Sequence, residues 1–474
     1  MSRLDTALPD ELSSHLDCLQ ADRHSICGNS LYDRLGICIW SFVAAKYYPV
    51  ILELSERKSR LLVVAIAFLT AAVLSFFGIR AALATYYANL GTRAGFETAV
   101  RLEPHDPRKW YLFGHYLQTD EVEADPRRAI AAYKTSLDLD PLSADTWLDL
   151  AEAYEAEFAI DDARKAFLEA NHVYPASSQV HWRYANFLVR QNELESAFSE
   201  FRKAIEKDPQ LGGATVRICR HYEPDFNHIL DEVLPPIAEA YLNVLWELTD
   251  EADTSDGLKV WSKLFLLHPK MNSRDVIHFV DGLLREKHTS EAAIVWPQAA
   301  GLMDLPKMED PAGSLIWDGG FETNVIDGGL AWRFDQKKSV LIGYDQEIKH
   351  SGARALRLDV DQKDIFGFVG VCQWVVVEPK TAYEFSGWLR TREMADEGGI
   401  FFRVRTLGLQ TNLTSDTAKL SGTTDWTRVS MPWTTPDEAR LAQVCLARPQ
   451  VYDSRHGIAW VDDVTLLKLG PTAK

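Results

Sequence analysis

At 474 residues, 46% of them hydrophobic and 25% charged, the chain is too long for one ordinary domain and too apolar to be disordered over most of its length. Its 50 Lys plus Arg against 68 Asp plus Glu give a formal net charge of -18, which argues against a partner made of nucleic acid. Six cysteines without a CxxC pair or a Cys/His cluster at metal spacing argue against a zinc-thiolate site.

Residues 1–60 precede the first strong signal, Leu61 to Ile79 (LLVVAIAFLTAAVLSFFGI), which has no charged residue and matches a hydrocarbon core of about 30 Å when helical. A transmembrane helix is expected over 61–79. It lies too far from the N-terminus for a cleaved signal peptide, so it reads as an anchor. Lys46, Arg57, Lys58 and Arg60 flank it before, and Arg80 and Arg93 after. That asymmetry predicts a cytoplasmic N-terminus, one crossing of an inner or cytoplasmic membrane, and periplasmic or extracellular C-terminal domains. Residues 36–54 (GICIWSFVAAKYYPVILEL) are apolar enough to lie in the interface or to enter the bilayer.

A helical-repeat solenoid is expected over 80–300. Pro107, Pro141, Pro175 and Pro209 stand 34 residues apart. Ala129, Ala163 and Ala197 keep the same spacing, each followed four residues later by Tyr133, Phe167 or Phe201. Paired antiparallel helices need such alternation of large and small side chains. Units at 110–143, 144–177 and 178–211 are clear, and 212–300 is a degenerate continuation. The pattern resembles the tetratricopeptide repeat, and the resemblance implies a concave groove, lined by first helices, that receives a peptide or protein segment. Carried over unit by unit, the groove positions are Tyr111, Gln118, Asp145, Glu152, Glu155, Gln179, Trp182, Asn186 and Arg190. They are mostly polar or acidic and favour a basic or hydrogen-bonding partner over an acidic one.

Residues 301–314 (GLMDLPKMEDPAGS) read as a linker, after which the periodicity becomes short and alternating over 315–469, with a tail at 470–474. An all-β sandwich or jelly roll is expected. WDGGFE at 317–322, SGARAL at 351–356, QWVVVEP at 373–379, YEFSGWLRT at 383–391, GTTDWT at 422–427 and WVDDVTL at 460–466 stand in the order found in galactose-binding-like jelly rolls. The domain therefore resembles the carbohydrate-binding modules attached to glycoside hydrolases. That resemblance implies a structural calcium held by Glu322 with Asp462 or Asp463; hydrogen bonding of these carboxylates to turn backbone is the alternative.

Sugar binding would use exposed aromatic faces. Trp332, Trp374 and Trp433 are the candidates, while the apolar neighbours of Trp388 and Trp426 place those two in the core. Cys372 and Cys445 either pair, in an oxidising compartment, or stand as separate buried thiols. No Gly-rich phosphate loop, GxSxG or HExxH occurs, and Glu322 with Asp462 or Asp463 lacks the cleft a glycosidase needs. The expected protein is a non-catalytic, membrane-anchored envelope scaffold. Its repeats would bind a protein and its jelly roll a glycan, in extracellular polysaccharide synthesis or export. The alternative is an assembly adaptor whose jelly roll binds no sugar.

Overall fold

A computed structural model describes residues 57–120, 122, 124–305, 313–335, 340–360, 369–395, 399–410, 412–449 and 457–471. The expected interfacial segment 36–54 lies outside the described residues, as do residues 306–312 of the linker. Helix α1 runs Arg57–Ala88. Its stretch Leu61–Ala88 is long and apolar enough to cross a membrane. The helix continues past Ile79 because RAALATYYA loses apolarity at Arg80 without losing helix-forming residues.

Thirteen further helices follow among the described residues. Helix α2 (Arg93–Leu102) leads into the pairs α3 (Pro107–Thr119) with α4 (Pro126–Leu139), α5 (Ala144–Ala156) with α6 (Ile160–Val173), and α7 (Ser178–Arg190) with α8 (Leu194–Lys207). Several of these starts have a local cause. Asp125, Ser143 and Ser177 accept hydrogen bonds from the N–H of Arg128, Thr146 and Val180 as N-caps. Pro107 and Pro126 occupy the first helical position, where a missing N–H costs nothing. Within a pair, size complementarity does the packing: a Cβ at Gly114 would lie 2.8 Å from the ring of the fully buried Tyr133.

The degenerate half keeps the same architecture. Helices α9 (Gly212–Tyr222) and α10 (Phe226–Glu232) break the register, and α11 (Ala238–Asp250) with α12 (Thr254–Leu266) and α13 (Ser273–Arg285) with α14 (Thr289–Leu302) restore it. Four of the turns within pairs contain a non-glycine residue in the left-handed region: Phe158 (φ 59°), Asn192 (φ 61°), Ala252 (φ 59°) and Lys287 (φ 66°).

The C-terminal domain is a sandwich of two five-stranded antiparallel sheets. One has the order β1-β4-β9-β6-β7: β1 (Trp332–Phe334), β4 (Val369–Val376), β9 (Leu441–Ala447), β6 (Phe401–Leu407) and β7 (Thr414–Asp416). The other has the order β2-β3-β10-β5-β8: β2 (Val340–Asp345), β3 (Ala355–Val360), β10 (Gly457–Pro471), β5 (Thr381–Met394) and β8 (Gly422–Thr434). Phe385 and Phe402 meet edge to face at 5.0 Å between the sheets, amid Leu358, Val444 and Leu466. Cys372 and Cys445, opposed in the β4/β9 register, form a disulfide, which resolves the alternative the sequence left open.

Candidate functional site

The first helices α3, α5 and α7 carry the expected groove residues. Two of their three acids are paired. Glu152 accepts from Arg183 Nε at 2.6 Å, and Asp149 from the same guanidinium at 2.7 Å. Glu155 receives Arg190 in a fork of two 2.7 Å bonds. Each arginine comes from the next repeat, so the groove wall is a ladder of inter-repeat ion pairs that offsets part of the acidity read from sequence. His115 Nδ1 lies 3.4 Å from Asp149, and burial followed by that carboxylate's charge pushes the Tyr111 hydroxyl up to about 12. Gln118 accepts from Tyr133 Oη at 2.6 Å, Asn186 donates to the Trp182 carbonyl at 2.8 Å, and Trp182 sits edge-on to Phe201 at 5.3 Å. Asp145 and Gln179 are exposed. What the groove offers is polar and, with Asp145 exposed and Arg183 shared between two carboxylates, still net acidic, which suits a hydrogen-bonding or basic partner.

The sandwich is joined to the last repeat by a built junction that sequence reading missed. Arg333 of β1 donates a fork to Asp281 of α13 at 2.7 and 3.1 Å, and Gly329 N–H donates to the same carboxylate at 2.9 Å. Trp296 of α14 meets Trp317 edge to face at 5.6 Å. Trp374 and Leu441, on the outer side of their sheet, pack on the solenoid core. Gly328 and Gly329 have no room for a Cβ, because Ile277 and Trp296 press against them.

Glu322, Asp462 and Asp463 each come close to Gly320. A Cβ at Gly320 would lie 3.7 Å from Asp462 Oδ1, 3.7 Å from Glu322 Cγ and 3.8 Å from Asp463 Oδ1. Their partners are the loop 350–353. His350 N–H and Ser351 N–H donate to Asp462 Oδ2 at 2.9 and 3.1 Å, and Ala353 N–H donates to Glu322 Oε1 at 2.9 Å. Ser351 Oγ donates to Asp463 at 2.7 Å, and His350 Nδ1 lies 2.6 Å from its other oxygen. Asp462 is fully buried, and burial, with the charge of Asp463 adding, pushes its carboxyl up to about 6 against three backbone N–H groups that favour the charged form. A calcium ion would need these carboxylates turned toward one point. In the geometry present, N–H and O–H donors occupy lone pairs such an ion would use, and among the described residues no group of three or more His, Cys, Asp or Glu side chains is arranged to hold a metal. The donor loop was visible in sequence as SGAR at 351–354, although its role was not.

The tryptophans are placed differently from the expected pattern. Trp332 (4% exposed) stacks on Phe321 and donates to the Asp318 carbonyl, and Trp433 (2% exposed) packs against Tyr383. Trp374 is half-buried at the junction under the Arg333 guanidinium, 4.4 Å from its ring. Trp388 and Trp426 are the half-exposed pair on the outer side of the other sheet, with His350 stacked on Trp388 at 3.9 Å and edge-on to Trp426 at 5.6 Å. Neighbours in sequence misled here, because residues beside one another in a strand point to opposite faces.

The tetratricopeptide repeat family model matches residues 123–170 and 159–211. The chain is similar to the tRNA(Glu)-specific nuclease WapA of Bacillus subtilis subsp. natto (strain BEST195), 26% identical over 185 residues, or 38% of this chain and 8% of that one. It therefore spans under a tenth of the length of that relative. The solved structure of Family 16 Carbohydrate Binding Module-2 is 20% identical, covering 32% of this chain and 99% of its own, with a TM-score of 0.25. That of pilF from Pseudomonas aeruginosa is 15% identical, covering 47% and 93%, with a TM-score of 0.27. Residues 123–211 thus carry tetratricopeptide repeats within a helical solenoid, preceded in the chain by one helix capable of crossing a membrane and followed by a two-sheet antiparallel β-sandwich.

Proposed function

We propose that the chain is a membrane-anchored, non-catalytic scaffold of the cell envelope whose groove holds an extended protein segment and whose sandwich caps the open end of the solenoid. Helix α1 would cross an inner or cytoplasmic membrane with residues 1–60 in the cytoplasm. The observation that carries the scaffold reading is the junction: the Asp281–Arg333 fork and the Trp296–Trp317 contact make the sandwich the neighbour that a terminal repeat otherwise lacks. Photo-crosslinking residues placed at Gln179 and Asn186 of the full chain should label one and the same protein in cells. Absence of any groove-specific crosslink from a folded, membrane-inserted chain would sink the partner reading.

A second reading, glycan binding by the sandwich during polysaccharide synthesis or export, draws support from Trp388 and Trp426 rather than from Trp332, Trp374 or Trp433. Affinity electrophoresis of the full chain through neutral and acidic polysaccharides should show retardation that Trp426→Ala abolishes. No retardation by any of them leaves the assembly role alone. Calcium held by Glu322, Asp462 and Asp463 would neutralise the buried Asp462, and it belongs to the same proposal. Millimolar calcium should then raise the melting temperature at pH 7, and an unchanged melt assigns these carboxylates to the 350–353 loop only.

A further inference from the structure

A cleft of about 440 Å³ opens between α4 and α6, floored by Leu137, Trp147, Leu150, Tyr154 and Ala166. That volume lies in the range of ligand sites. On α5 the floor residues 147, 150 and 154 form one stripe, whereas Asp145, Asp149 and Glu152 form the groove stripe on the opposite side of the same helix. The cleft is therefore separate from the groove.

Its existence has a cause in the repeat. The counterpart of Trp147 in the preceding pair is Trp110, since each indole donates to the carbonyl of the turn proline six residues before it, and there the guanidinium of Arg128 lies at 5.7 Å over Phe113, the counterpart of Leu150. Thirty-four residues after Trp147 stands His181, held by Glu200 at 2.7 Å. Both flanking units thus fill this place with their own side chains. In the middle unit Arg128 is replaced by Asp162 and Glu200 by Ala166, so neither covers the Trp147 side of the floor. The rim carries Asp138, Asp162 and Glu169 against Lys134 and Lys165. Lys165 is taken by Asp162 at 3.2 Å, and Lys134 lies over Tyr154 at 5.4 Å. Asp138 and Glu169 have no ion pair among the described residues.

We propose that this cleft receives an arginine side chain projecting from a partner protein. The apolar stem would lie on Leu137 and Leu150, the planar guanidinium on the Trp147 and Tyr154 rings, and its charge would meet Asp138 and Glu169. A precedent within the chain is the Arg128 guanidinium over the Phe113 ring at the corresponding place of the preceding pair.

The test is fluorescence anisotropy of the full chain in detergent with a labelled heptapeptide carrying a central arginine between leucines. Replacing that arginine by citrulline or glutamate should weaken binding at least tenfold. Asp162→Arg, which restores at the exposed rim the arginine of the preceding unit, should fill the cleft and abolish binding, whereas Asp162→Asn should cost only a few-fold. Asp138→Asn with Glu169→Gln, both exposed, should weaken binding several-fold and keep the melting temperature. Equal binding of the citrulline peptide, full binding to a folded Asp162→Arg chain, or no binding of the arginine peptide at millimolar concentration overturns the proposal. Groove crosslinking does not bear on it.

Discussion

The solenoid and the sandwich are held by contacts of different reach. Across the helices, ion pairs recur at sequence separations close to the repeat: 29 for Arg164–Glu193, 34 for Arg183–Asp149 and 35 for Arg190–Glu155. In the sandwich the closing contacts span 113 residues for His350–Asp463, 115 for Asp345–Trp460 and 152 for Ser314–Leu466. A repeat can therefore lose one contact and keep its neighbours' equivalents, while the sandwich depends on a few connections that have no second copy. Breaking them one at a time measures how far that difference holds.

The largest effect is expected at the disulfide. Cys372→Ala with Cys445→Ala frees a loop of 73 residues and should cost about 4 kcal/mol, seen as a sandwich transition at lower denaturant with the helical signal intact. Coincident loss of both signals would mean that the junction makes one cooperative unit. Next is Asp462, raised from 3.8 to about 6 when folded. A carboxyl raised on folding contributes stability that is fully present below the unfolded value and is lost as pH rises through the folded one. Stability of the sandwich should thus fall by about 2 to 3 kcal/mol between pH 4 and 7, and flat denaturation midpoints over that window would refute it.

At the junction itself, Asp281→Ala strands the Arg333 guanidinium at a half-buried site and should cost about 2 kcal/mol. Hydrogen exchange should show the loss in residues 326–333 and α13 and leave α3 to α8 unchanged. The smallest expected effect is a gain. Phe158 holds φ 59° and is 88% exposed, where the following repeat has Asn192 at φ 61°. Phe158→Gly should stabilise the solenoid by about 1 kcal/mol, read as a higher melting temperature. A drop would mean that the exposed ring has packing partners in the folded state.

The same contrast in reach governs what could be read from sequence. Proline, alanine and aromatic residues at a fixed interval located the three clear helix pairs, because each repeat's packing is written within about one period. The proximity of Glu322, Asp462 and Asp463 to Gly320 was legible only through the order of motifs that the resemblance supplied, and the loop 350–353 that binds their carboxylates was not. The junction had no local signature: nothing around Asp281 distinguishes it from other helix-surface acids until Arg333 arrives 52 residues later. Strand faces failed for a simpler reason. The burial of Leu389 says that Trp388 points away from the core, and β5 adds register shifts after Leu389 that defeat counting by twos.

Gln373 carries a consequence for anyone wishing to separate the two domains. It is fully buried, and its side-chain amide accepts from Trp317 N–H at 2.8 Å and donates to the Trp317 carbonyl at 2.7 Å, as a strand residue's backbone would. Two residues earlier, Leu315 N–H donates to the Leu466 carbonyl in the opposite sheet, and Ser314 Oγ accepts from Leu466 N–H. Residues 314–317 are therefore a stitch passing through both layers. A cut that begins the sandwich at Asp318 would remove it and unlace the two sheets at once, so the only viable scissor line lies upstream of Ser314.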